Sequence, residues 1–299
     1  MTIDELINEY GQMANDQLTY IMDRAGIKPE ILDKSMRYSL FAGGKRIRPV
    51  LAMMCCVATG GDAFEALTPA CCVEMVHCYS LIHDDLPCMD DDDFRRGKPS
   101  NHIVFGEDLA VLSGDALLTQ AFETLSDPEF SLSFGYQKTI SVINELAFAA
   151  GSSGMVSGQV MDMKPDVDNE GNVTADFINR LQSLKTGALI TAACRIGALS
   201  ANATDHQLKS ITEYSKNIGL LFQITDDLLD AFGSKELLGK ATNKDADKGK
   251  VNWVTVFGAD TAKKMACEAA IKAKTSIAHL GNTAKPLLDM VDMIQTRKK

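Results

Sequence analysis

Helical periodicity runs through almost the whole chain and constrains its fold more than any other feature. Apolar residues recur at intervals of three and four in segments covering about 34–42, 47–59, 109–125, 136–161, 175–200, 206–232 and 259–280. Thr2 and Glu5 form a capping-box pattern ahead of another helix, and Thr68 followed by Pro69 predicts a further helix start. Sustained strand-like alternation is absent from the sequence. The pattern therefore predicts an all-α bundle.

Composition and charge narrow the class of protein. The chain has 299 residues, is 45% hydrophobic and carries a formal net charge of −10, a balance that disfavours a nucleic-acid-binding protein. No apolar run reaches the roughly 20 residues that cross a bilayer, and the N-terminus lacks a secretory-signal pattern. Eight cysteines lie in apolar surroundings without a C-x-x-C motif, which is typical of reduced, buried thiols. Without a flexible linker in the pattern, we expect one cytoplasmic domain spanning residues 1–299.

The segment DDLLD places three aspartates on one stripe of a predicted helix. Asp226 and Asp230 are four residues apart, so they lie one turn apart on the same face, with Asp227 beside them. An acidic run of this kind is often only a solvated surface. Here, however, the flanking residues are apolar, and like charges at this spacing destabilise a helix unless a cation compensates them. The motif therefore makes Mg²⁺ binding a specific hypothesis.

A second acidic cluster lies in HDDLPCMDDDDFRRG, residues 83–97. Asp84 and Asp90 are six residues apart and would not align on a straight helix, whereas Asp84 and Asp91 would align better. Pro87 removes a backbone donor, so we expect the helix to kink or end there. Periodicity alone does not choose between Asp90 and Asp91, and the two aspartates that follow them can be solvated extras.

Basic residues cluster in GGKRIRP, residues 43–49, directly after two glycines. Flexible backbone followed by lysine and arginine suits an anion with several oxygens, because guanidinium groups can bind phosphate with two parallel hydrogen bonds. The alternative is an ordinary loop with surface cations, and the spacing of a P-loop is missing. His77 lies seven residues before Asp84 on nearly the same predicted helix face, so it can reach the same site.

Six motifs in order give the chain a family resemblance: GGKRIRP, HCYSLIHDDLPCMDDDDFRRG, GQVMD, LKTGALI, FQITDDLLD and LGKATNKD. The chain resembles the trans-isoprenyl diphosphate synthases over essentially its full length, and within them the bacterial-type farnesyl diphosphate synthases. The resemblance implies a helical bundle around a deep central cavity and a homodimer. It also implies a head-to-tail (1′-4) condensation of isopentenyl diphosphate with an allylic diphosphate through an allylic carbocation.

The resemblance also implies a role for individual residues. The two acidic motifs would face each other and hold three Mg²⁺ ions per active site, with Mn²⁺ as an alternative; they comprise Asp84, Asp85, Asp90, Asp226, Asp227 and Asp230. Isopentenyl diphosphate would be bound by Gly44, Lys45, Arg48, His77 and Arg96. The allylic diphosphate would be bound by Arg95 and Lys240, with Lys185, Thr186 and Gln223 stabilising the cation and Gln159 and Asp162 supporting them. The lysine-rich segment 233–253 is a candidate lid.

Product length depends on the residues just before the first acidic motif. Tyr79 lies five residues before Asp84, about 7–8 Å along a helix, and Ser80 lies one turn before it. An aromatic side chain there resembles the floor of a farnesyl (C15) synthase, so we expect farnesyl diphosphate as the product. The alternatives are a geranylgeranyl (C20) synthase with the floor set by other helices, a class I terpene cyclase, and a non-catalytic partner subunit. The second diphosphate site argues against a cyclase, and two intact acidic motifs argue against a non-catalytic subunit.

Overall fold

The computed structural model describes residues 1–165, 173–237 and 252–297, and it confirms the all-α prediction. The only strands among these described residues form one short antiparallel hairpin, in which β1 (Phe94–Arg95) and β2 (Lys98–Pro99) have two residues each. The α-helices are α1 (Ile3–Ala25), α2 (Glu30–Leu40), α3 (Ile47–Ala58), α4 (Ala63–Asp84), α5 (Asn101–Phe105), α6 (Glu107–Ser126), α7 (Pro128–Phe134), α8 (Tyr136–Ala150), α9 (Met155–Met163), α10 (Ala175–Gln182), α11 (Ala188–Ser200), α12 (Asp205–Leu237), α13 (Trp253–Phe257), α14 (Ala259–Ile277) and α15 (Lys285–Thr296). A π-helical segment, Ser183–Gly187, precedes α11, and a 3₁₀ segment, Ala278–Ala284, precedes α15.

Two compact units make up the chain, and each is assembled from two stretches of sequence. Unit 1 comprises Met1–Ala147 and Ala192–Thr204; unit 2 comprises Phe148–Thr191 and Asp205–Lys299. The boundaries fall inside α8 and α11, so neither unit is a separate block of sequence. The expectation of a single domain over 1–299 stays a prediction.

The central helix of unit 1 is α4, which packs against α1, α2, α3 and α6. α3 is apolar on nearly every face and is correspondingly buried on nearly every face, as expected for a helix inside a core. Five cysteines of α3 and α4 are buried free thiols, in agreement with their apolar sequence context: Cys55, Cys56, Cys71, Cys72 and Cys78.

The second stretch of unit 1 packs closely on α3. A Cβ atom added at Gly197 would lie 2.7 Å from the carbonyl carbon of Ala52, closer than real side chains approach backbone. The Cys194 thiol also reaches the Cys55 thiol. Residues 192–204 therefore complete the core that α3 and α4 begin.

A buried ion pair joins the start of α3 to α4. Arg46 has a left-handed backbone conformation (φ 51°) and turns its guanidinium inward, where Nη1 donates to Oε1 of Glu74 at 2.9 Å. Both side chains are only 3% exposed. Further donations from Arg46 to Asn15 and to the carbonyl oxygen of Leu40 satisfy the guanidinium. Arg46 is therefore a structural residue, whereas its neighbours in GGKRIRP remain available to a ligand.

Replacing Glu74 by glutamine is expected to lower the free energy of unfolding by about 3–5 kcal/mol, because it leaves a buried guanidinium without a counter-charge. Urea denaturation measures the change. Glu30→Gln is the matched control, because Glu30 pairs with Lys34 on the exposed side of α2, where such pairs contribute little to stability. Equal, small losses in the two variants would contradict a structural role for the buried pair.

The long helix α12 organises unit 2 and packs against α13, α14, α15 and the π-helical segment. Trp253, at the start of α13, is fully buried. Its backbone N–H donates to Oδ2 of Asp227 at 2.8 Å, and Asn252 caps the same helix. This contact fixes the start of α13 directly beside the DDLLD motif.

Two predicted helix boundaries were wrong. α4 begins at Ala63, not after Thr68, because Asp62 and Glu65 form a capping box, and Pro69 lies inside the helix. One lost backbone hydrogen bond is tolerated because tertiary packing dominates the stability of a buried helix. The predicted helix 136–161 divides into α8 and α9, since Gly154 has φ −137° and ψ −122°. Among the described helices, none combines the length and the apolar character required to cross a membrane.

Candidate active site

The first acidic motif begins at the last turn of α4, in unit 1. α4 ends at Asp84, and the backbone N–H of Asp90 then donates to the carbonyl oxygen of Asp84 at 2.9 Å. Asp91 takes a left-handed conformation (φ 53°) and its N–H bonds to Leu86. The turn therefore brings the backbone of Asp90 onto that of Asp84, which favours Asp90 over Asp91. Carboxylates at a helix C-terminus meet the negative end of its dipole, so this position favours a compensating cation.

A tight hairpin after this turn directs two arginines to different partners. Arg96 (φ 52°) and Gly97 (φ 75°) both have positive φ angles, as a two-residue type I′ turn requires. Arg95 donates from Nε to Oδ1 of Asp85 at 2.9 Å, and its Nη2 bonds the same oxygen. Arg96 instead donates to the carbonyl oxygen of Gly43. The Asp85 carboxylate is thus held by Arg95, whereas Arg96 packs against the GGKRIRP loop.

The loop Gly43–Lys45 and the guanidinium groups of Arg48 and Arg96 form a cationic wall in unit 1. Gly44 (φ +113°) lies against the Arg96 guanidinium, since an added Cβ would be only 2.8 Å from its Cζ. Nε of Arg48 is buried and has no hydrogen-bond partner within the described residues. Burial lowers the pKa of Arg48 to about 10; Glu74 opposes the shift and Arg96 adds to it. Lys45 is exposed at the same loop.

The pKa of His77 reflects the positive potential that the arginines of this wall create. Burial lowers its pKa well below the ordinary value, and the nearby guanidinium groups lower it further, led by Arg48 and Arg96. The imidazole is therefore neutral at pH 7, and the surplus positive charge is left for an anion. The unpaired, buried Nε of Arg48 lies close to the guanidinium group of Arg96, an arrangement that suits an anion such as a diphosphate.

The depressed pKa of His77 predicts a stability that falls on the acid side. Below the ordinary pKa of 6.5 the unfolded chain binds a proton that the folded chain does not, so this contribution is present above 6.5 and lost as the pH falls. Urea denaturation of wild type and His77→Gln between about pH 5 and pH 7.5 tests it. The advantage of the wild type should shrink with decreasing pH; a constant difference would contradict a neutral, buried imidazole.

Two further unit 1 residues precede the first acidic motif. Tyr79 is 7% exposed, and its ring lies edge-on to that of His83 with centroids 5.7 Å apart. Ser80 is half-buried and donates to the carbonyl oxygen of His77 within α4. Tyr79 is thus a fixed bulky group one and a half turns before Asp84, and Ser80 leaves more room on its own face.

The second acidic motif lies on α12 in unit 2, with the predicted one-turn spacing. Oδ1 of Asp226 pairs with Nη2 of Arg297 at 2.8 Å. This contact joins α12 to the residue that follows α15, and the sequence did not reveal it. Burial raises the pKa of the Asp226 carboxyl; Arg297 opposes this shift and Asp230 adds to it. Asp227 accepts from the Trp253 backbone, and Asp230 is exposed. Asp226 and Asp230 are the pair whose mutual repulsion a metal ion would relieve.

The remaining predicted residues of unit 2 gather around the π-helical segment. Lys185 and Thr186 lie in this segment, and Nζ of Lys185 pairs with Asp162 on α9. A Cβ added at Gly158 would lie less than 3.0 Å from the Lys185 backbone. The Nε2 atom of Gln159 is buried and has no hydrogen-bond partner in the described part of the chain. π-Helical turns frequently occur at functional sites, and an unpaired buried amide beside one suits a ligand.

Gln223 and Lys240 are the other residues of unit 2 predicted to line the site. Gln223 is half-buried on α12, one turn before Asp227. Lys240 and most of the proposed lid 233–253 lie outside the described residues.

The donor set fits magnesium. Within residues 1–165, 173–237 and 252–297, no three His, Cys, Asp or Glu side chains converge as a complete metal cage. The two acidic motifs supply carboxylate oxygens, the ligand type that Mg²⁺ prefers, and water and substrate phosphate would complete its coordination. The raised pKa of Asp226 is consistent with a carboxylate that gains from a nearby cation.

A protein family and individual relatives match most of the chain. A model of the family described as Polyprenyl synthetase matches residues 29–284. A geranylgeranyl diphosphate synthase of Cyanophora paradoxa is 41% identical over 292 residues, covering 94% of this chain and 96% of that protein. A dimethylallyltranstransferase of Fischerella ambigua is 42% identical over 269 residues, covering 90% and 77%.

Solved structures also match nearly the whole chain. An FPP/GFPP synthase from Zymomonas mobilis has a TM-score of 0.84 at 33% identity, with 97% of each chain covered. A geranyltransferase from Legionella pneumophila has a TM-score of 0.87 at 31% identity, covering 99% of this chain and 97% of that one.

Proposed function

The chain belongs to the polyprenyl synthetase family, and from this premise we propose that it condenses isopentenyl diphosphate with dimethylallyl and then geranyl diphosphate to give farnesyl diphosphate. The cationic wall of unit 1 is the observation that carries the proposal. Its unpaired Arg48 donor and the Arg96 guanidinium against Gly44, beside the neutral His77, suit an anion with several oxygens such as a diphosphate.

The proposed chemistry divides the work among the chain's own residues. Gly44, Lys45, Arg48, His77 and Arg96 would bind isopentenyl diphosphate, and Arg95 would bind the allylic diphosphate. Magnesium on the two acidic motifs would neutralise charge that develops on the leaving diphosphate. The C1–O bond of the allylic substrate breaks, and the isopentenyl double bond attacks C1. A proton from C2 of the isopentenyl unit then passes to the released diphosphate.

Unit 2 would stabilise the allylic cation. The Thr186 hydroxyl and the Gln223 amide oxygen offer negative dipole ends, while Lys185 is kept in place by Asp162 and by the close approach of Gly158. Gln159 would donate from its unpaired Nε2 atom to the allylic diphosphate. Fixed dipoles aimed at developing charge are the general means by which active sites lower such barriers.

Farnesyl diphosphate is the proposed product, with geranylgeranyl diphosphate as the alternative. Buried Tyr79, held edge-on to His83, supports a floor for a C15 chain. The Cyanophora relative is a geranylgeranyl diphosphate synthase, and the Zymomonas structure is that of an FPP/GFPP synthase, so the relatives support a longer product at least as well as farnesyl diphosphate.

Sizing the products decides between them. Purified protein is incubated with Mg²⁺, isopentenyl diphosphate and labelled dimethylallyl diphosphate, and the dephosphorylated products are separated by chain length. A C15 product supports the proposal, and a C20 product supports the alternative. No prenyl product from several allylic primers would contradict both and favour a partner subunit without activity of its own.

Truncating the proposed floor should lengthen the product. Tyr79→Ala removes a buried ring five residues before Asp84, and we expect C20 and longer chains to replace C15 as the main product. Product sizing measures the change, with Ser80→Ala as a control that removes only a hydroxyl. An unchanged C15 product from Tyr79→Ala would contradict a floor at this position.

We also propose a homodimer. Large apolar side chains are exposed on α6 and α8 of unit 1, including Leu112 (57%), Tyr136 (61%) and Ile140 (63%). Apolar surface of this extent supports a protein–protein interface. Light scattering coupled to size exclusion measures the mass in solution; a monomer at micromolar concentration would contradict the proposal.

A further inference from the structure

His83 connects the end of α4 to α6 within unit 1. Its Nε2 atom lies 3.0 Å from the carbonyl oxygen of Val111. A carbonyl oxygen only accepts, so Nε2 carries the proton and donates. His83 therefore forms a side-chain bond between two helices at the residue just before Asp84.

α6 contains a glycine where the imidazole inserts. A Cβ added at Gly114 would come within 2.9 Å of Cε1 of His83 and still closer to Nε2, too close for any real side chain. Glycine is unfavourable inside a helix, so its position at the contact indicates a steric requirement. Gly114 forms a notch that allows the ring to reach Val111.

The same imidazole confines the Tyr79 ring. Tyr79 and His83 are four residues apart, on one face of α4, and their rings meet edge to face at an interplanar angle of 77°. Tyr79 is 7% exposed, so it has little free space in which to change rotamer. The order of contacts is Val111 and Gly114 on α6, then His83, then Tyr79.

We propose that His83 is a positioning residue that sets product length by holding Tyr79 in place, with Gly114 providing the notch that allows it. The inference rests on the proposed function, in which Tyr79 is the floor of the chain-elongation site. A growing prenyl tail ends where it meets a ring that cannot move. With the imidazole gone or displaced, the phenol ring gains rotamers, and the tail can pass.

Product length is the decisive measurement, because a purely structural role would lower the yield without changing the ratio of C20 to C15. We expect His83→Ala and Gly114→Ala each to raise this ratio about tenfold over wild type, with Tyr79→Ala giving the largest shift. His83→Ala only removes atoms, whereas Gly114→Ala pushes the ring out of the notch, so the two variants do not share a route to misfolding. Gly11→Ala is the control for a buried helical glycine, because its added Cβ would meet only an ordinary contact at 3.7 Å.

The outcomes separate the inference from the function on which it rests. If Tyr79→Ala lengthens the product and the His83 and Gly114 variants keep the wild-type ratio, the inference is overturned and the proposed function stands. If Tyr79→Ala leaves the ratio unchanged, the floor itself is wrong, and the inference falls with it. A ratio that rises equally in Gly11→Ala would also overturn the inference, since any disturbance of unit 1 would then suffice.

Discussion

Asparagine at Asp84 or Asp226 is expected to lower kcat by about 10²–10³-fold, the usual loss when one group that stabilises transition-state charge is removed. Each change keeps the shape of the side chain and removes the charge that would hold a metal ion. Asp84 ends α4, and Asp226 is a half-buried carboxyl with a raised pKa. Steady-state kinetics across a Mg²⁺ titration measure the effect, and we expect a higher half-saturating Mg²⁺ concentration as well.

The matched control for these variants is Asp93→Asn. Asp93 belongs to the same acidic run, but it is exposed and follows the turn that brings Asp90 to Asp84. We expect its activity to stay within about twofold of wild type, as for most surface substitutions. If all three variants lost activity equally, net charge alone would account for the effect, and the assignment of Asp84 and Asp226 as metal ligands would fail.

Alanine at Gly158 is expected to lower kcat by about 100-fold, although Gly158 has no side chain to contribute. Its Cβ would lie 2.7 Å from the carbonyl carbon of Leu184 and nearer still to the Lys185 backbone. α9 or the π-helical segment must therefore move, and Lys185 and Thr186 move with it. A displacement of about 1 Å in a positioned group can lower the rate about 10²-fold.

Gly219→Ala provides the comparison for Gly158→Ala. Gly219 lies on α12, and a Cβ there would make ordinary contacts at 3.7 Å with Gly187 and 3.8 Å with Ile190. We expect activity close to wild type and a small gain in stability of about 0.4–1 kcal/mol. Thermal unfolding separates a displaced site from a destabilised protein. Full activity in Gly158→Ala would show that the Lys185 segment is not positioned by this contact.

Local geometry explains which parts of the site were predictable. The one-turn spacing of Asp226 and Asp230 follows from the helical repeat, and the structure has it. The hydrogen bond that joins the backbone of Asp90 to that of Asp84 forms after the helix ends, so helical periodicity could not choose between Asp90 and Asp91. Helix boundaries were wrong where a local signal, such as Pro69, was outweighed by an earlier capping box and by packing.

Contacts between distant residues were not predictable in the same way. The Arg46–Glu74 pair, the His83–Gly114 contact and the Arg297–Asp226 pair each join positions that no sequence spacing relates. Glu74 carried one weak signal, an acidic residue inside the apolar run Pro69–Val76 of α4. Arg297 carried none beyond its place in a basic chain end. Such contacts depend on tertiary packing, which a single sequence does not display.

The divided sequence of unit 1 has a consequence for its biosynthesis. Residues 192–204 complete its core, with Gly197 against Ala52 and Cys194 beside Cys55. A ribosome delivers these residues only after the whole of 148–191, which belongs to unit 2. Domains usually fold as they emerge from the ribosome, which synthesises about 5–20 residues per second. The core of unit 1 therefore stays incomplete until residue 204 has left the exit tunnel. A nascent chain arrested earlier would expose to chaperones the surface of α3 that residues 192–204 cover.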